Sequence, residues 1–266
     1  KEIFSDSLNT LLKCVNCEVG YLKYFARDIN DIYNNKAYFK KSKKNYLKNE
    51  NYRKSRFAKE RLKLIKKIYS KKSKKQFLLD IGCGTGWFLN EAKKIGYEIF
   101  GQELSKDLAD FSSKKNSCKI FTDDISKINL NFKFDIITCF DVIEHLKKPE
   151  SVFSFAIKNL KKNGILVIFT PNLNSLCFNY LKSNSQLFCA DHLFYFNFNS
   201  LNNLAKKKFK KVFGATCGTD IFDIIAYKEY LNPNKFKQVN MFCNKIQEHI
   251  DKENLANHLR VIYKKI

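Results

Sequence analysis

The sequence predicts an α/β fold, a mostly parallel sheet with helices on both faces. Three observations over residues 77–170 support this. Short apolar runs alternate with segments of helical periodicity. No hairpin turn joins one run to the next, and parallel neighbours need a crossover instead. The first run ends in three glycines at alternating positions, followed by a helical pattern. Repeated β-α-β units with short connections stack helices on both faces of a sheet.

Residues 1–76 are predicted as a mostly helical N-terminal region. It starts with a short knuckle, Cys14-Val15-Asn16-Cys17, and continues through an aromatic, Lys-rich stretch with Tyr33, Tyr38, Phe39 and Tyr46. Phe57, Leu62, Ile65 and Ile68 then recur at helical spacing over 55–69, and Lys71 to Lys75 form a polar break. The main domain is assigned to 77–266. Its strands are predicted at 77–81, 98–101, 119–121, 134–140 and 165–170, with helices at 87–94, 106–114 and 150–160. Gly96 suits a helix C′ position, Ser105 an N-cap, and Pro149 a first turn. Residues 170–210 are predicted as an aromatic, loop-like insertion that caps the substrate, ending in a helix at 201–209. Two late strands, at 211–213 and 259–263, flank a helix over 235–250.

Hydrophobic residues make up 44% of the 266 and aromatic ones 15%, enough for a real core, so a wholly disordered chain is not expected. The formal charge of +23 suggests an anionic partner. Of the 49 basic residues, however, only Arg27, Arg53, Arg56, Arg61 and Arg260 are arginine. Nucleic-acid readers rely on Arg, whose planar fork fits phosphate and guanine. A solvated Lys surface is therefore expected, without a nucleic-acid partner but with room for an anionic small molecule. Nine cysteines at irregular spacing imply a reducing, cytoplasmic setting. No apolar run reaches the roughly 18 residues of a membrane span, and no leader segment is recognisable. The chain starts at Lys1, as if an upstream piece had been removed.

The segment Leu78-Leu79-Asp80-Ile81-Gly82-Cys83-Gly84-Thr85-Gly86-Trp87-Phe88 is the most informative. Glycine permits the tight turn and a close approach of backbone to ligand, and the new helix presents its positive end there. A phosphate-binding P-loop would need Lys-Ser or Lys-Thr after the glycines. A dinucleotide fingerprint would need a small residue at Trp87. A ligand without phosphates fits better. The segment resembles motif I of the class I S-adenosylmethionine-dependent methyltransferases, a Rossmann-like family. That resemblance implies a seven-stranded sheet with an antiparallel last strand, S-adenosylmethionine as cofactor and S-adenosylhomocysteine as product. It also places Asp80, Gly82, Cys83, Gly84 and Gly86 along the methionine and ribose end.

Three further elements extend the resemblance. Glu103, 21 positions after Gly82, closes the second strand, where an acid accepts ribose hydroxyls, with Leu104 beside it. In Thr122-Asp123-Asp124-Ile125, Asp124 is preferred over Asp123 for the adenine amino group, with Ile125 against the ring. The run Phe134 to Leu146, followed by Pro149, resembles the fourth-strand segment of ubiquinone-type O-methyltransferases and related bacterial small-molecule and glycan methyltransferases. It places Phe140 and Asp141 beside the methionine moiety. Residues 160–172, 191–201 and 259–264 continue the same likeness, which weakens before residue 55. Arg61 takes the place of an Arg near the cofactor carboxylate, with Arg56 competing for that role.

The implied reaction is methyl transfer to a small-molecule acceptor, probed first as a hydroxyl of a sugar, a surface-glycan precursor in polysaccharide biosynthesis or a phosphorylated metabolite. Removing the hydroxyl proton needs a base, and His192 is assigned first, His145 second. His249 and His258 are read as surface residues of a helical tail. No metal is assigned, although the resemblance allows Glu144 and Asp141 to hold a divalent ion. Cys14 and Cys17 read either as half of a zinc site or as incidental thiols, since structural zinc needs four ligands; some relatives in this group carry two such pairs. An RNA methyltransferase is the alternative, against which stands the absence of an Asn/Asp-Pro-Pro motif after Phe140. A non-catalytic cofactor-binding module is the third reading. Oligomeric state is not legible.

Overall fold

The computed structural model describes residues 1–5, 9–24, 44, 47–69, 75–205, 208–227 and 236–266. The predicted aromatic stretch around Tyr33, Tyr38, Phe39 and Tyr46 lies outside them.

A seven-stranded sheet organises the chain in the order β10-β11-β8-β7-β4-β5-β6. Its strands are β4 (Gln76–Ile81), β5 (Tyr97–Gln102), β6 (Ile120–Phe121), β7 (Phe134–Phe140), β8 (Leu160–Pro171), β10 (Phe209–Cys217) and β11 (His258–Lys265). Strands β4 to β8 run parallel, while β11 lies antiparallel between β8 and β10. This is the predicted Rossmann-like architecture with its antiparallel last strand. Every residue of β7 is buried, as expected of a strand covered on both faces.

Helices α2 (Trp87–Lys94), α3 (Lys106–Asn116) and α4 (Glu150–Asn159) cross over between parallel strands. Two clusters pack the faces. One joins Leu79, Ile137, Phe153 and Tyr263, and the other joins Ile65, Leu78, Phe88 and Val167. The second cluster includes α1 (Lys59–Ile68), which a π-helical turn (Arg53–Ala58) precedes. Asp135 ties the sheet to this helix. Burial alone would raise its pKa, but the Lys161 ammonium, the Phe77 N–H and the Tyr69 hydroxyl together hold it below the usual carboxylate range.

The N-terminal region differs from its prediction. Helix is found over 50–68, but residues 1–24 hold three short strands, β1 (Glu2–Ser5), β2 (Thr10–Lys13) and β3 (Gly20–Leu22). They form an antiparallel sheet completed by β9 (Phe194–Tyr195), from the predicted capping insertion. A small core of Leu11, Leu22, Leu173, Phe178 and Tyr195 holds the two pieces together. The insertion is also more ordered than a loop. It contains α5 (Leu176–Leu181), whose N-cap Ser175 accepts the Phe178 N–H, and leads into α6 (Phe198–Ala205). Helices α7 (Asp220–Tyr227) and α8 (Phe236–Lys252) precede β11. No helix among the described residues is long and apolar enough to cross a membrane.

Gly86 closes the glycine turn with a φ of +70°. A Cβ there would lie 2.2 Å from both Asn116 Nδ2 and Ser112 Oγ. Asn116 cannot yield easily, because its Nδ2 donates to the carbonyls of Gly86 and Ser112. Gly86→Ala should therefore lower unfolding stability by about 2–4 kcal/mol, from overpacking plus left-handed strain. The check is a urea midpoint shift at unchanged slope; an unmoved midpoint contradicts it.

Candidate functional site

The site lies at the carboxyl ends of the parallel strands, where open α/β sheets bind ligands. Gly82, Gly84 and Gly86 all adopt positive φ in the turn from β4 to α2. Gly82 is held by contact: a Cβ there would lie 2.3 Å from Val142 Cγ2. Gln102, at the end of β5, braces the turn, accepting from the Gly82 N–H and donating Nε2 to the Asp123 carbonyl. Gln102 was not singled out from the sequence, although it stands directly before Glu103 at a strand end.

Glu103 is the acid of this turn. Its Oε2 accepts the Gly84 N–H at 3.0 Å and its Oε1 the Ser105 N–H at 2.9 Å. Burial raises its pKa, and the N–H groups of Ser105, Gly84 and Leu104 pull against that shift. The carboxylate is thus fixed at the crevice with lone pairs to spare, an arrangement that can accept a pair of sugar hydroxyls. Ser105 occupies the N-cap position of α3, but its side chain makes no cap bond.

The other predicted residues divide. Asp80 is buried below the turn, accepting the Thr138 hydroxyl at 2.7 Å. Burial pushes its pKa up to about 7, despite the Thr138 bond and nearby Arg61. The buried Cys83 side chain packs toward the sheet, while its backbone N–H donates to Gln102. Asp124 Oδ1 is engaged by the N–H and hydroxyl of Ser126, so it ties its own turn together. Ile125 is buried in the first core cluster, and Leu104 is half-buried.

The Asp80 carboxyl links pH to stability. The folded chain holds a proton up to about pH 7 that the unfolded chain releases near 3.8. Stability from this group is therefore lost as pH rises from about 4 to about 7. Asp80→Asn should gain on the wild type by about 3 kcal/mol between pH 5 and pH 8, at about 1.4 kcal/mol per unit up to pH 7. Urea unfolding at both pH values checks this, and a constant difference contradicts it.

Asp141 follows β7 with a φ of +56°. Its Oδ2 lies 3.5 Å from Arg61 Nη2, and its Oδ1 lies 3.8 Å from His258 Nε2. The Arg61 guanidinium sits 4.2 Å from the Phe140 ring centroid and 5.6 Å from that of Trp87. Arg61, Phe140 and Asp141 are thus brought together. His258 corrects the sequence reading: it is the first residue of β11, facing Asp141, not a residue of a helical tail.

His145 and His192 come together with ring centroids 4.7 Å apart. His145 Nδ1 lies 2.6 Å from the Asp191 carbonyl, and His192 Nδ1 lies 2.9 Å from that of Leu187. Since a carbonyl only accepts, each Nδ1 carries its proton and each Nε2 keeps a lone pair. Burial, then neighbouring His145, pushes His192 down to about 4, and burial lowers His145 too. Glu144 is fully buried beside them. Its Oε2 accepts the Thr170 hydroxyl and its Oε1 has no partner. One donor atom from each of Glu144, His145 and His192 lies within 4.8 Å of the others, a set that can hold a metal ion. Asp141, the partner expected for Glu144 in such a role, is not in it.

Cys14 and Cys17 flank the turn between β2 and β3. The backbone N–H groups of Cys17 and Asn16 hold the Cys14 thiol below its ordinary pKa. All nine cysteines are free thiols.

Comparison with known proteins agrees with this geometry. Residues 49–208 match the family model described as a methyltransferase domain. The ubiquinone biosynthesis O-methyltransferase of Pelagibacter ubique is 36% identical over 98 residues, covering 35% of this chain and 41% of that protein. The Glaesserella parasuis enzyme of the same name is 34% identical over 104 residues, covering 35% and 44%. The similarity thus spans less than half of these relatives. Among solved structures, magnesium protoporphyrin IX methyltransferase from Synechocystis, with bound S-adenosylhomocysteine, shares the fold with a TM-score of 0.61. It is 12% identical over 90% of this chain and 98% of its own. A Bacillus halodurans structure described as a methyltransferase matches with a TM-score of 0.53 and 16% identity over 77% and 97%. With a family match over most of the sheet and the glycine turn, strand-end acid and sheet order in place, the chain belongs to the methyltransferase-domain family.

Proposed function

We propose that this protein transfers a methyl group from S-adenosylmethionine to a hydroxyl oxygen of a small, anionic acceptor. The observation behind this reading is Glu103, a buried carboxylate bonded across the glycine turn to the Gly84 N–H. The residues present fit the cofactor. Glu103 offers lone pairs to ribose hydroxyls, Thr85 Oγ1 is buried in the turn without a partner among the described residues, and Arg61, beside Asp141, offers its guanidinium to the carboxylate. Leu104 and Ile125 supply apolar surface, and Asp124 is the acid for the adenine amino group.

When bound, S-adenosylmethionine supplies an electrophilic methyl group. The chain's part is then chiefly positioning, and aligned groups reach effective molarities on the order of 10⁵ M or more. His192, seconded by His145, takes the acceptor's proton at Nε2. Acceptors of this reading include sugars, surface-glycan precursors and phosphorylated metabolites, with 170–210 closing over them. Nine free thiols suit a cytoplasmic setting. The test is a screen of hydroxylated acceptors, each in free and phosphorylated form, following S-adenosylhomocysteine release. Acceptor-dependent release by wild type, absent without acceptor, is expected. Transfer only to RNA would overturn the reading.

A further inference from the structure

A cavity of about 370 Å³ lies between the helical segment at 53–61, the carboxyl ends of β8 and β10, and the start of β11. Four of the chain's five arginines, Arg53, Arg56, Arg61 and Arg260, line it. Among the described residues no lysine lines it, in a chain with 44 lysines. Solvating a surface does not require that sorting. Lysine is a compact, strongly hydrated charge, whereas the guanidinium fork binds two oxygens of one oxyanion at once. The arginines also come from segments about 200 positions apart, so the fold alone assembles them.

The acids in the same wall are already engaged. Glu60 accepts from Arg260 Nη1, Asp141 faces Arg61, and Asp251 accepts Gln247 Nε2. Among the described residues Arg56 makes no ion pair, and Arg260 Nε is buried with no hydrogen-bond partner. The cavity has further donors in Thr219 and His258. Those two residues also line a second chamber of about 410 Å³, walled by Ser185, Asp223 and Asn257. The two chambers thus adjoin at Thr219 and His258, one arginine-rich and the other neutral to acidic.

We infer that the arginine-rich chamber seats an oxyanion group of the acceptor, a phosphate or carboxylate, between Arg56 and Arg260, while the second chamber takes the acceptor's body. This rests on the proposed methyl-transfer reading and assigns its substrate class. Arg61 lies deeper, against Phe140 and Asp141, and remains with the cofactor side. Recognition of this kind favours the anion-bearing acceptor, because one without it leaves the buried Arg260 Nε donor unmatched.

The test is calorimetric titration of inorganic phosphate into the full chain, with and without saturating S-adenosylhomocysteine. Phosphate should bind the saturated protein. Arg56→Gln, at an exposed position, should weaken phosphate at least fivefold and leave S-adenosylhomocysteine affinity within twofold. Arg56→Lys should recover only part of the loss. Absence of phosphate binding, or equal affinity in Arg56→Gln, overturns the inference. Phosphate that competes with S-adenosylhomocysteine also overturns it, assigning the arginines to the cofactor's own carboxylate. If S-adenosylhomocysteine fails to bind but phosphate binds with Arg56 dependence, the cofactor reading fails and the oxyanion seat stands.

Discussion

His192→Ala should reduce turnover about 10²-fold or more, the range typical of a positioned acid–base group, while cofactor affinity moves less than twofold. In the proposed role the imidazole accepts the proton at Nε2. Its Nδ1–H is held by the Leu187 carbonyl, which fixes the ring and leaves Nε2 bare. Burial and His145 keep it in the base form far below neutral pH. A purely structural histidine at this place would, when truncated, lower stability and cofactor binding together. A divalent ion held by Glu144, His145 and His192 would make wild-type activity sensitive to a chelator. Activity untouched by EDTA, with the His192→Ala loss confined to turnover, is the expected pair of results. Wild-type turnover in His192→Ala would remove it from the mechanism.

Glu103→Ala should weaken S-adenosylmethionine about 10- to 100-fold, with a smaller effect on turnover at saturation. Two contributions add. Hydrogen bonds to a charged group are worth about 1.5–3 kcal/mol, and the variant loses those to the ribose hydroxyls. It also strands the Gly84 and Ser105 N–H groups, so the glycine turn loses its brace. Glu103→Gln keeps one acceptor oxygen and should fall between wild type and Glu103→Ala. Unchanged affinity in Glu103→Ala, measured by calorimetry, would refute the ribose role.

The sheet was readable where burial is complete and the chain local. Strand β7 has its predicted bounds because all seven residues are buried and apolar enough to form one run. Helix α2 likewise begins at Trp87, directly after the last glycine of the turn. The first strands were not readable. Strands β1 to β3 run three or four residues each, too short for period-two alternation, and β3 depends on β9, more than 170 positions away. Strand β11 was placed one residue late because it opens with polar residues facing a cavity. His258 and Arg260 point one way while Leu259 and Val261 are buried on the other.

The site divides along the same line. Gly82, Gly84, Gly86 and Glu103 lie on one β-α-β unit, so their juxtaposition follows from a spacing. The pairing of His145 with His192, the buried Glu144 and the cavity shared by Arg56 and Arg260 join segments that share no local pattern. Only the folded chain brings them together. Nor does sequence show that Asp80 turns into the core toward Thr138, since strand alternation alone leaves both faces available.

The most direct measurement is a crystal structure of the chain grown with S-adenosylhomocysteine. The account predicts the nucleoside over the Gly82–Gly86 turn, its ribose hydroxyls on Glu103 and its carboxylate toward Arg61. An empty turn at saturating ligand, or a nucleoside whose ribose lies away from Glu103, would contradict it.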